Sequence, residues 1–133
     1  MKTGKNVLII TDGTEGTVKI AAGIASALKG DNVEVKTASE FKGNDILPVQ
    51  VFFLGCEKPQ PESFTYLAEL LKHINLVGRS CGVFSPGSEK AVKYLAALAR
   101  DCEATLNTEP LFSGSENEDA VKKWAQSVVS GSL

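Results

Sequence analysis

The sequence holds one histidine and three cysteines in 133 residues, and it has no long apolar run. Each shortage excludes something. His73 has no nucleophile or metal-ligand pattern beside it and reads as a helix-surface residue, and no Ser-His-Asp order or paired-carboxylate site is evident. Cys56, Cys81 and Cys102 form no CxxC pair and no metal spacing, so they read as reduced thiols. Charge of one sign is also lacking: 14 Lys and Arg stand against 16 Asp and Glu, a net charge of −2, which argues against a nucleic-acid partner. No apolar segment approaches the length of a membrane span. After Met1-Lys2-Thr3-Gly4-Lys5, only Val7 to Ile10 are apolar, too few for a signal-peptide core. The expected location is the cytoplasm. Repeats, linkers and low-complexity tracts are missing too, so 1–133 is expected to be one domain, and 43% apolar residues are enough for a real core.

What is present is organised around Val7-Leu8-Ile9-Ile10-Thr11-Asp12-Gly13-Thr14-Glu15-Gly16-Thr17. An unbroken apolar strand meets a loop with glycines and threonines, and an amphipathic helix follows over 15–28, with Ile20, Ile24 and Leu28 on one stripe. The first N–H groups of such a helix, and its positive dipole end, favour anions. Gly13 to Thr17 is therefore the candidate anion site, with Thr14 and Thr17 as hydroxyl donors; plain turn residues are the alternative.

The rest repeats strand then helix. Val33-Glu34-Val35-Lys36-Thr37 alternates, as at a sheet edge. The stretch 38–48 has room for a turn or two of helix. Val49-Gln50-Val51-Phe52-Phe53-Leu54 is a third strand, ending at Gly55-Cys56, and 62–74 is a helix with Phe64, Leu67 and Leu71 inward. Cys81-Gly82-Val83-Phe84-Ser85 is a fourth strand, followed by the turn Pro86-Gly87-Ser88 and a helix capped by Ser88. A fifth strand, Glu103-Ala104-Thr105-Leu106-Asn107-Thr108, alternates again. A polar loop covers 109–117, and a helix over 118–129 closes the chain, with Trp124 on its apolar stripe and Glu116, Glu118 and Asp119 favourable at its start.

Alternating strands and helices predict a doubly wound, three-layer α/β/α fold with a parallel sheet. The two alternating strands belong at its edges and the two most apolar at its centre. The order 2-1-3-4-5 satisfies both, and it places a ligand over the loops after strands one and three.

This arrangement resembles flavodoxin. In that family the phosphate loop reads Ser/Thr-x-Thr-Gly-x-Thr, and here Gly13, Thr14, Thr17, Ala21 and Ile24 occupy matching places. Leu54-Gly55-Cys56 looks like the strand end that leads into the first flavin-flanking loop, and Glu109-Pro110-Leu111 with Lys122-Lys123-Trp124 resembles the C-terminal third. The resemblance implies an electron carrier with FMN at Thr11, Asp12, Gly13, Thr14, Glu15, Gly16, Thr17, Gly55, Cys56, Ser85, Pro86 and Gly87, a redox partner protein, and no autonomous enzyme activity.

Three departures stand beside it. Asp12 replaces Ser or Thr, and Glu15 replaces Gly, so two carboxylates face a phosphate that carries roughly −1.5 to −2 charge. The segment from Cys56 to Pro61 is short and has no aromatic. Ser85-Pro86-Gly87-Ser88 replaces a longer loop with a stacking ring, and Tyr94 is too far along the next helix to fill that place. The second expectation is accordingly a flavin-free binding or regulatory module, met by a protein partner. For Cys56 the bland reading is a half-buried small hydrophobe, and the alternative is a reactive thiol.

Two other readings fail on single residues. Thr11-Asp12-Gly13-Thr14 looks like the Asp-x-Asp-Gly-Thr box of haloacid-dehalogenase-type phosphatases, but Ile10 stands at the nucleophile. A response-regulator receiver needs an Asp at the end of strand three and a Lys after strand five, where Gly55-Cys56 and Glu109-Pro110 stand.

Overall fold

The computed structural model describes residues 4–106, 108–112 and 118–130. The two continuous apolar runs pair as β1 (Asn6–Thr11) and β3 (Val51–Gly55), parallel, with Val7 opposite Val51 and Thr11 opposite Gly55. β2 (Asn32–Thr37) joins the other side of β1, and β4 (Ser80–Phe84) the other side of β3, both parallel. The order is β2-β1-β3-β4. Winding therefore reverses between β1 and β3, as the patterns predict.

Helices cover both faces, which is why the inner strands need no polar face. α1 (Glu15–Ala27) and α5 (Glu118–Ser130) pack over Val7, Ile9, Val51 and Phe53. α3 (Thr65–Leu71) and α4 (Glu89–Asp101) lie over Leu8, Ile10, Phe52 and Leu54. Each fully buried Leu, Ile or Phe side chain contributes about 1.5–3 kcal/mol. The short α2 (Gly43–Ile46) falls within the turn or two of helix expected over 38–48, and Ile46 anchors it.

Three boundaries differ from the pattern. The helix expected over 62–74 opens as a 3-10 turn, Glu62–Phe64, and α3 closes by Leu71. Its last turn tightens, with the Lys72 N–H donating to Glu69 O at 3.3 Å and the His73 N–H to Leu70 O at 3.0 Å. In β2, Val33 packs inward but Val35 is 46% exposed, so alternation there overstates burial.

The third difference corrects the strand count. Among the described residues the sheet has four strands, and the fifth expected over 103–108 is not among them. The returning chain meets β4 through isolated parallel bridges, Ser80 to Thr105 and Phe84 to Leu111. Thr105 and Leu111 are six positions apart, while Ser80 and Phe84 are four apart. The spacings differ by two residues, and the described rungs are those at Thr105 and at Leu111. Glu103 enters with φ of +65°, and Pro110 has no N–H to donate. Asn107 and most of the polar loop, 113–117, lie outside the described residues. Trp124 holds the returning segment: its ring meets Phe53 and Phe84 edge-on at 5.5 and 6.2 Å, and its indole N–H donates to Glu109 O at 2.7 Å.

Candidate functional site

The register brings Thr11, Gly55 and Phe84 side by side at the C-terminal edge of the sheet. Asp12, Cys56 and Ser85 follow them, so five of the twelve candidate residues, Thr11, Asp12, Gly55, Cys56 and Ser85, fall in one row. Gly55 cannot carry a side chain there, because a Cβ would fall 2.3 Å from the Phe84 ring.

The loop after β1 is built around Asp12. Gly13 turns the chain with φ of +80°, a conformation that favours glycine. Asp12 Oδ1 accepts from the Thr14 N–H at 3.0 Å and from the Thr14 hydroxyl at 2.6 Å. The Thr14 and Thr17 hydroxyl oxygens share a hydrogen bond at 2.8 Å. Asp12 Oδ2 reaches across the switch point and accepts from the Glu57 N–H at 2.8 Å. One carboxylate thus ties the loop after β1 to the loop after β3.

Beyond that row, α1 begins with Glu15, Gly16 and Thr17. The first turn of a helix leaves its N–H groups without intrahelical acceptors, and no acceptor for these three is found among the described residues. Thr17 is buried and Glu15 is exposed. Glu15 meets Lys19 at 4.0 Å with both side chains largely in solvent, a pair worth little. Gly16 faces Pro86, whose side chain lies 3.1 Å from where a Cβ would sit, so the loop after β4 closes on the start of α1.

That third loop is tight. The Gly87 N–H donates to Ser85 O at 2.8 Å, Gly87 has φ of +100°, and Ser88 caps α4 by accepting from the Ala91 N–H at 3.1 Å. The Ser85 N–H donates to Leu111 O at 2.8 Å, but its fully buried hydroxyl has no partner among the described residues. Thr108 Oγ1 is likewise buried with none among them.

Cys56 is fully buried. Burial first, and the nearby Asp12 charge second, push its thiol up to about 12. It stays protonated near neutral pH, which supports the small-hydrophobe reading over the reactive thiol. Burial and the neighbouring Cys56 also hold the Tyr94 hydroxyl above its ordinary value. Tyr94 leans on Phe64, with ring centroids 6.5 Å apart.

A cleft of about 380 Å³ opens between the first two loops, lined by Asp12, Thr14, Glu57, Lys58, Pro59, Gln60, Pro61 and Ser63. A larger cavity of about 570 Å³ lies at the opposite end of the sheet, against Asn6, Asn32 and Pro48. It is remote from the switch point and from the start of α1, so the smaller cleft is the better candidate. Sequence reasoning missed Glu57, Lys58 and Gln60; the third strand's end at the switch point was the signal that could have found them. It also missed Phe112, which is 44% exposed and follows the Leu111 bridge to Phe84; no motif marks it.

The arrangement is a poor match to a flavin monophosphate. The Thr14 donors that such a phosphate needs are held by the chain's own carboxylate, and neither 56–61 nor 85–88 brings a ring. Among the described residues no cluster of His, Cys, Asp and Glu could hold a metal, and no helix is long and apolar enough to cross a membrane.

No sequence-family model matches the chain, and no curated protein matches it. Solved structures do. Oxidised flavodoxin 2 from Bacillus cereus superposes with a TM-score of 0.83 at 20% identity, covering 94% of this chain and 98% of that one. The flavodoxin of Streptococcus pneumoniae TIGR4 gives 0.80 at 20% identity, covering 94% and 97%. A Fusobacterium nucleatum flavodoxin bound to flavin mononucleotide gives 0.73 at 16% identity, covering 97% and 99%. At these identities the likeness establishes the fold.

Proposed function

We propose, from a chain with the flavodoxin-like fold, that this protein works without a resident flavin, as a binding or regulatory module for a protein partner. The observation that carries this reading is Asp12, whose carboxylate accepts from the Thr14 N–H, the Thr14 hydroxyl and the Glu57 N–H. A phosphate dianion entering there would displace three hydrogen bonds and meet a like charge. A unit charge pair at about 5 Å costs about 0.8 kcal/mol at the dielectric of water and about 3 kcal/mol at an effective value of 20. The segment from Cys56 to Pro61 adds no stacking surface to offset this. The partner surface in this reading is the edge formed by the three loops, with the Glu57 to Pro61 wall as its rim.

A small electron carrier that holds FMN weakly is the second reading. The N–H groups of Glu15, Gly16 and Thr17 favour it, together with the fold shared with an FMN-bound flavodoxin. In that reading the phosphate rests on these N–H groups and the Thr17 hydroxyl, Gly55, Cys56, Ser85, Pro86 and Gly87 flank the ring, and the flavin supplies the redox chemistry. Colour and FMN fluorescence separate the two. The flavin-free reading expects a colourless purified protein that leaves FMN fluorescence unquenched at micromolar concentrations. A yellow protein, or saturable quenching at low micromolar FMN, would establish the carrier.

A further inference from the structure

We infer that Asp12 is a built-in anion: its carboxylate takes the place of a ligand phosphate, holds the two switch-point loops together, and excludes phosphate monoesters from the site. This rests on the flavin-free reading and gives it a residue. The two carboxylate oxygens divide the work. Oδ1 satisfies the Thr14 N–H and hydroxyl within its own loop, and Oδ2 satisfies the Glu57 N–H, 45 positions away. A serine at this position could accept a bond from its own loop but could not reach both sides. A side chain with two acceptor oxygens and a full charge is what closes the pair.

The neighbouring chemistry supports an anion at this place. The positive end of a 13-residue helix starts two residues after Gly13, and a charge near such an end is stabilised. Glu15, Gly16 and Thr17 present further N–H groups without acceptors among the described residues. Pro86 packs on Gly16 beside these groups. Donors for an oxyanion thus border the loop, and the chain supplies its own carboxylate to those of Thr14 and Glu57. Replacing Asp12 changes which ligands are admitted, and it also loosens the tie between the loops after β1 and β3.

The test uses inorganic phosphate with the isotope-labelled parent and the Asp12→Ser variant, read by amide chemical shifts. In the parent, phosphate leaves the amides of Gly13 to Thr17 unmoved. In the variant it shifts them, with affinity at least about tenfold tighter. Equal response in both proteins, or none in either, overturns the role of Asp12. Asp12→Asn keeps the size of the side chain and removes its charge, so it serves if the serine variant fails to fold. Phosphate is expected to shift the amides of Gly13 to Thr17 in it as well, and a folded Asp12→Asn protein with those amides unmoved overturns the inference. A parent that is yellow as purified would overturn the flavin-free reading instead, so the two failures are distinguishable.

Discussion

The row at the top of the sheet ends in two opposite ways. On the β1 side, Asp12 satisfies donors from two loops and draws them into one unit. On the β4 side, Ser85 and Thr108 bury hydroxyls that have no partner among the described residues, and the returning chain meets β4 there through two isolated bridges. A charged acceptor closes one end, where Asp12 follows a strand paired on both sides. Ser85 follows a strand whose outer neighbour is described only as two isolated bridges.

The largest expected effect tests what joins the two ends. Phe84 lies opposite Gly55, fills the space a Gly55 side chain would need, and packs on Trp124 at 6.2 Å. Phe84→Ala is expected to lower unfolding free energy by about 3–5 kcal/mol in urea titration. A loss under about 1.5 kcal/mol would show that the ring is not the keystone between the ends. Gly55→Ala sharpens this: it should destabilise the parent, yet be tolerated once Phe84 is truncated, giving strong non-additivity.

The next test sets the two ends against each other. Asp12→Ala strands three donors and is expected to cost about 1–3 kcal/mol. Ser85→Ala removes a buried hydroxyl that has no partner, so stability should hold or rise slightly, within about 1 kcal/mol. Equal losses for the two variants would abolish the distinction, because Ser85 would then need a hidden partner. Urea midpoints measured side by side decide it.

The contrast also explains what the sequence could say. Val7 to Ile10 read as a strand buried on both faces, and both faces are covered. Alternation at 33–37 and at 103–108 looked the same, yet among the described residues only the first is a strand of the sheet. In the second, Ala104 is buried and Leu106 packs against the core, so the side-chain pattern was real. What differs is the pairing with β4, described at Thr105 and Leu111 as isolated bridges, and that depends on the spacing between them and not on local polarity. The site divides likewise. A carboxylate in the first loop was legible, but its bond to Glu57 joins residues 45 positions apart, and no local spacing encodes that.

The smallest effect concerns Cys56, between the two ends. Its thiol is pushed up to about 12 from an ordinary value of 9.0, by burial first and by Asp12 second. In the unfolded chain the thiol ionises near 9.0, so between these values the unfolded state binds fewer protons than the folded one. The Cys56 contribution to stability is therefore fully present below pH 9 and is lost progressively as pH rises towards 12. At neutral pH no pH slope from this group is expected. Two measurements follow. A thiol reagent at pH 7.5 should leave Cys56 unmodified in the native protein and label it on unfolding, a contrast that peptide mapping resolves from Cys81 and Cys102. Alkaline unfolding curves of the parent should fall more steeply between pH 9 and 11 than those of Cys56→Ala. Replacing Asp12 with asparagine removes the second cause of the shift, so the Cys56 part of the alkaline decline should be smaller in that variant than in the parent. Rapid native labelling of Cys56 at neutral pH would place it on the open side of the row and restore the reactive-thiol reading.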